Sequence, residues 1–348
     1  MIERCLDDLE ARLDPMAEDH LRAQWRHFAD GRFTGDIFCP ARPAPIPGRV
    51  EWPSVLVNQA IADPEAMLLQ QFGTCSTALA QASGALPCVR ANYGTAILPS
   101  LFGVDLFWMA DEQDTLPTNW PLRGGRDALR AALDRGLPDL RTGLGARVLD
   151  MGARFVEAMA PYPKIRRYVT VYHPDLQGPL DVCELLWGSS LFLDLYDAPD
   201  FVAAMLELIS ETYTQFLRAW QQIVPPVREY AVHWGMLHRG RIMLRDDSAM
   251  NLSAEMFARF VAPYDGRLLR EFGGGALHFC GKGGHYLPQA VALPGVNAVN
   301  LSQPEYNDME TIFRHTVDQG IPLLALPREA AQAALAKGRS LHGNVHCW

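Results

Sequence analysis

Short apolar runs alternate along the chain with longer segments of helical periodicity. Runs of strand length fall at Val89–Leu98, Val104–Ala110, Arg167–His173, Arg228–Trp234, Arg241–Asp247, Ala276–Gly281, Val296–Leu301, Ile321–Leu326 and Arg339–Val345. Between them the spacing predicts helices over Leu144–Ala160, Asp200–Val224, Ser253–Phe272, Asp308–Gln319 and Arg328–Lys337. Ser253 stands where an N-cap belongs, since its hydroxyl can accept from an unpaired N–H of the first turn. Gly320 and Gly338 follow the last two helices, where the chain needs a left-handed residue to leave.

Strand–helix alternation over this length calls for parallel strands joined by crossover helices. Hairpin signals are few. The glycine-rich dinucleotide fingerprint is also missing, because neither Gly124–Arg130 nor Gly273–Gly275 follows a strand in the required way. The expected fold is α/β, a closed (β/α)8 TIM barrel. Ahead of it lie one or two surface helices and a proline-rich stretch, Cys39–Pro53. Each proline lacks an N–H and restrains its predecessor, so this stretch reads as an ordered arm that serves as a lid or as a homodimer contact. A helix over Asp63–Ala82 opens with Asp-Pro. The expected division is an N-terminal extension, residues 1–88, packed on a single catalytic barrel, residues 89–348.

Composition narrows the function. Half the 348 residues are hydrophobic and the net charge is −9. An acidic surface repels phosphate backbones, and no basic stripe interleaves with aromatics, so nucleic acid is excluded. No apolar run approaches the roughly 20 residues that span a bilayer. The acidic N-terminus lacks the basic and apolar regions of a signal peptide, so a cytoplasmic location is expected. The seven cysteines are odd in number and irregular in spacing, which points to reduced thiols.

Barrel enzymes place chemistry at the C-terminal ends of their strands. His278 and Cys280 are two apart on a strand candidate, so both face the same side and can share a metal. Cys347, at the end of the last strand candidate, is the expected third ligand. His346 and His342 are the substitutes, with His346 facing away from Cys347 on a regular strand. Two thiolates and an imidazole suit zinc and leave a fourth position open. Asp246 and Asp247 end another strand candidate, as a proton shuttle or as partners that orient His278. Tyr93 and Gln177 are expected to line the mouth. His233 is a candidate for the pocket, and Arg42 and Arg90 are candidates to hold an anionic substrate.

Several segments in order resemble the uroporphyrinogen decarboxylase superfamily, in the branch of the methylcobamide:thiol methyltransferases that act on coenzyme M and related thiols. The segments are Asp175–Gly188, Arg245–Tyr264, Ala276–Gly281 with the following KGGHYLPQAV, Gly295–Asp308 and Gly338–Cys347. The resemblance implies a (β/α)8 barrel with zinc held by His278, Cys280 and Cys347. It implies an enzyme that activates a small-molecule thiol as thiolate for methyl transfer with a corrinoid, the cobalamin cofactor being carried by a partner protein. Two departures stand out: the chain stops at Trp348, one residue after Cys347, and the arginine-rich signature of the decarboxylases is absent. The alternatives are a lyase or hydrolase that uses the metal as a Lewis acid, a member that works without metal, and a binding module for the corrinoid protein.

Overall fold

The computed structural model describes residues 1–227 and 229–348. Arg228, the first residue of one predicted strand, lies outside them.

Two helices open the chain, α1 (Ile2–Arg12) and α2 (Pro15–Ala29). Asp14 caps α2 by accepting from Met16 N, and Pro15 occupies the first turn, where its missing N–H costs nothing. The proline-rich segment carries no regular structure beyond isolated bridges. Arg42 anchors it: the buried guanidinium donates to both Glu18 carboxylate oxygens, at 2.6 and 2.8 Å. Arg42 is therefore committed to holding the arm on α2 rather than to a substrate. The helix Pro64–Ala80 follows, capped by Asp63 as the Asp-Pro signal predicts.

The strands, in chain order, are β1 (Cys88–Val89), β2 (Leu106–Phe107), β3 (Thr118–Asn119), β4 (Thr170–Val171), β5 (Tyr230–His233), β6 (Met236–Arg239), β7 (Ile242–Arg245), β8 (Gly275–Phe279), β9 (Val296–Leu301) and β10 (Leu323–Leu324). The fold is mixed α/β. The strands β7, β8, β9 and β10 pair in parallel in that order, and β1 pairs in parallel with β4. Bridges from Leu323 to Val345 and from His346 to Phe38 extend the array beyond β10.

The parallel ladder is thus not a continuous ring of eight. Between β4 and β7 the link passes through a side chain, His173 Nε2 accepting from Met243 N at 3.1 Å. Two predicted strands join antiparallel pairs instead. Residues 104–110 contribute only β2, which pairs with β3. The run ending at Trp234 becomes β5 of a hairpin with β6. Trp234 and Gly235 turn that hairpin with φ of +51° and +80°. Positive φ at both central residues is the tight turn that matches strand twist. A tryptophan there hides the signal, because asparagine or glycine is its usual mark.

Side chains alternate along β7–β10, and three cores follow. Met243, Ala276, Ala298 and Leu324 face inward against the β5–β6 hairpin and Trp25, Phe28 and Phe38 of the N-terminal segment. Ile242, Leu244 and Leu277 face the outer helices, including the long helix Pro199–Ile223. Phe279, Val299, Leu301, Leu323, Val345 and Cys347 form the third core, under the helices Met309–His315 and Arg328–Ala336. The predicted helix Ser253–Phe272 is two helices, Ala254–Phe260 and Ala262–Phe272, parted at Val261, because Pro263 has no N–H to continue the first helix's ladder. Ser253 caps the first, its side chain accepting from Met256 N. Among the described residues no helix is long and apolar enough to cross a membrane.

Candidate metal centre

The site grows from the register of β7, β8 and β9. Arg245 sits opposite His278, and His278 opposite Asn300. One residue past β7, Asp246 N still donates to His278 O at 3.1 Å, so Asp247 emerges beside the end of β8. There Asp247 Oδ1 accepts from Cys280 N at 2.7 Å. The backbone of Asp247 is held in turn, since its N–H and that of Ser248 donate to the Asp181 carboxylate at 3.0 and 2.8 Å.

His278 and Cys280 face the same side, as the two-residue strand period requires. Cys280 Sγ lies 3.6 Å from His278 Nε2, and Asp247 Oδ1 lies 3.8 Å from the same nitrogen. Asp247, His278 and Cys280 form the group of donor atoms able to share one ion. His278 Nδ1 meets Asn300 Oδ1 at 2.6 Å, while Asn300 Nδ2 donates to Leu324 O at 2.7 Å. The Leu324 carbonyl orients the amide, the amide oxygen takes the proton of Nδ1, and the lone pair is left on Nε2, facing the other two donors. Burial pulls His278 below the usual imidazole range, with Asp247 opposing, which favours the neutral ring a metal needs. Burial, reinforced by Asp247, pushes the Cys280 thiol up to about 11. Asp247 and Cys280 are partly exposed, so the group is open on one side.

The other candidates are distributed differently. Cys347 is not brought to His278 and Cys280. It is fully buried in the third core and shares the outward parity of Val345. His346 faces the other way, as its position next to Cys347 predicts. Its ring packs at tilted and edge-on angles among Trp25, Phe38 and Trp348, and Nδ1 accepts from Ala325 N at 3.0 Å. His342 is exposed. Asp246 turns away from the donor group toward Asp265, and burial followed by Asp265 raises its carboxyl well above the usual range. A β-carbon at Gly178 would sit 2.5 Å from Asp246 Oδ1, so glycine is what lets the two segments meet. Gln177 donates to Asp175 Oδ1 at 3.0 Å. Tyr93 is buried, with the Arg147 guanidinium 5.3 Å over its ring.

Arg90 pairs with Asp175 at 2.9 Å, and Arg245 reaches the other oxygen of the same carboxylate. Arg245 also lies 5.0 Å over Trp234, whose ring meets His278 edge-on at 5.0 Å. Asn300, Asp181, Arg245 and Trp234 were not singled out in the sequence. A polar Asn300 in step with Ala298, on the inward side of β9, was the available signal.

No protein-family model matches the chain, and no curated protein matches it in sequence. Among solved structures it is similar to a methyltransferase from Methanosarcina mazei, with a TM-score of 0.64 and 14% identity over 94% of this chain and 92% of that one. At this identity the likeness establishes a shared fold along nearly the whole of both chains.

Proposed function

We propose that the protein is a metal-dependent methyltransferase whose centre is Asp247, His278 and Cys280. The observation that carries this is a three-donor group at the C-terminal ends of β7 and β8, in a fold shared with a methyltransferase. The donors fit zinc. In a tetrahedral site, ligand atoms at zinc bond lengths lie about 3.5 Å apart, close to the 3.6 and 3.8 Å found here. Nε2 is the free nitrogen of His278, Asn300 orients the ring, and one side stays open for a substrate.

Zinc held there supplies a charge that keeps a substrate thiol in its nucleophilic thiolate form near neutral pH. Asp247 and Cys280 supply negative charge on either side of His278. The Asp181 contacts hold the Asp247 backbone, so the carboxylate keeps its place when substrate enters. Trp234 covers one side of His278 and keeps water from it. The methyl source in this reading is a corrinoid on a separate protein that docks at the open side.

One observation favours a second reading. The group has one thiolate and a carboxylate instead of two thiolates. Fewer sulfur ligands leave zinc a stronger Lewis acid, which suits a lyase or hydrolase.

The test is metal content, measured by elemental analysis on protein purified without added metal or a metal-binding tag. About one zinc per chain is expected in the wild type, lost in Cys280→Ser and Asp247→Ala and kept in Cys347→Ser. Wild type that binds no metal after zinc is added under reducing conditions would overturn both readings. With zinc established, thiol methylation from methylcobalamin separates the first reading from the second.

A further inference from the structure

Cys39 and Cys347 lie near opposite ends of the chain, yet the fold sets them side by side. Phe38 N donates to Val345 O at 2.8 Å, and Cys347 N donates to Phe38 O at 3.1 Å. Those two bonds make Phe38 and His346 partners in a parallel bridge. One residue further along, Cys39 therefore stands opposite Cys347. Pro40 follows Cys39 and restricts it to extended backbone, so the alignment carries past the bridge.

Successive side chains of an extended segment point to opposite faces. Phe38 and His346 share the inward face, where both rings pack on Trp25. Val345 and Cys347 belong to the third core, and Ile37 packs against it. Cys39 has the parity of Ile37, so the two thiols leave their segments on the same face. Neighbouring strands lie about 4.8 Å apart, within the roughly 4.4–6.8 Å between α-carbons that a disulfide spans. The thiols are near enough to feel each other: burial first, then Cys39, pushes the Cys347 thiol up to about 12.

The two are unequal in access. Both are free thiols, and among the described residues Cys39 is the one exposed cysteine, while Cys347 is buried. An exposed thiol beside a covered one divides the work of thiol–disulfide exchange: the first meets the reagent and the second resolves the product.

We propose that Cys39 and Cys347 form a reversible disulfide that latches the proline-rich arm to the last residues of the chain, with a small organic disulfide as oxidant. The Cys39 thiolate attacks one sulfur of the small disulfide and expels the first thiol. The Cys347 sulfur then attacks the Cys39 sulfur, and its proton leaves with the second thiol. One small disulfide is reduced to two thiols as two protein thiols are oxidised to one bond. Cys347 meets no external reagent, because the sulfur it attacks is already on its neighbour. Arg42 holds the arm on α2 through Glu18, and the latch adds a covalent tie at the arm's start. The site is independent of the metal reading.

The test incubates the full chain with oxidised glutathione at about pH 8, blocks free thiols and maps tryptic peptides by mass spectrometry without reduction. Trypsin leaves Cys39 on residues 33–49 and Cys347 on residues 340–348. The expected product is these two peptides joined within one monomer, and released by dithiothreitol. In Cys347→Ser, Cys39 should stop at its glutathione adduct; in Cys39→Ser, Cys347 should stay unmodified. The latched wild type should melt about 5 °C higher than the reduced form, with no such rise in Cys39→Ser. Cys39→Ser changes an exposed residue, so it decides the matter if Cys347→Ser does not fold. Cys280→Ser should latch as the wild type does. The proposal fails if wild-type Cys39 keeps its glutathione while Cys347 stays free, if Cys39 links only to Cys39 of a second chain, or if the melting temperature does not rise.

Discussion

Two buried titratable groups lie against β7, and they respond to pH in opposite ways. Beside Met243 are the histidines 173, 233 and 238; beyond the end of the strand are the carboxylates of Asp181, Asp246 and Asp265. Burial is the first cause of the shift in every one of them, and it always disfavours the charged form. For histidine that lowers the pKa, and for aspartate it raises it. The histidines therefore favour folding above the free imidazole value near 6.5, and that contribution is lost as pH falls toward their folded values. The carboxylates favour folding below about pH 4, and that contribution is lost as pH rises through their raised values. Stability should peak between the two limbs. The same comparison separates structure from site: the donor group at β8 is open, whereas both titratable groups are sealed.

The largest effect is expected on the histidine side. Asp175 is the carboxylate between Arg90 and Arg245, and Asp175→Asn would leave two buried guanidiniums without their counter-charge. A loss of about 3–5 kcal/mol in denaturant unfolding is expected; a loss below 1 kcal/mol would show that water reaches the arginines. On the carboxylate side, Asp265→Asn removes a group whose carboxyl is pushed up by burial to about 7 and which must therefore be ionised at a cost above that pH. Its stability at pH 8 should rise by about 2 kcal/mol, and the decline between pH 4 and 8 should flatten while the acid limb is unchanged.

His233→Phe sharpens the contrast from the other direction. It leaves His238 Nε2, the partner of His233 Nδ1, unpaired, so about 1–2 kcal/mol should be lost at pH 7, yet the fall in stability below pH 6.5 should be shallower than in the wild type. An acid limb as steep as before would assign it to other groups. The smallest effect is expected at Cys347→Ala, which removes one buried sulfur from the third core. About 1 kcal/mol of stability should go, with metal content untouched.

The chain's own pattern placed several helices and the caps Asp63 and Ser253, because capping and amphipathic spacing are local; of the strand runs only Val296–Leu301 kept both ends, while Val89–Leu98 is strand only at Cys88–Val89 and Arg339–Val345 forms no strand. It also placed His278 and Cys280 on one side, since a strand has a strict period of two. That period argued equally for His346 and Cys347 facing apart. What it left undetermined was which of them faces inward. Only the packing of Val345 and Cys347 under the helices Met309–His315 and Arg328–Ala336 decided that, and it left Asp247 beside the pair. The β5–β6 hairpin was hidden because Trp234 occupies a turn position with positive φ, a conformation imposed by its surroundings rather than by its own preference. Periodicity and capping act over a few residues and can be read in order along a chain. Register between distant strands is set by which apolar faces can be buried together, and that is a property of the assembled core.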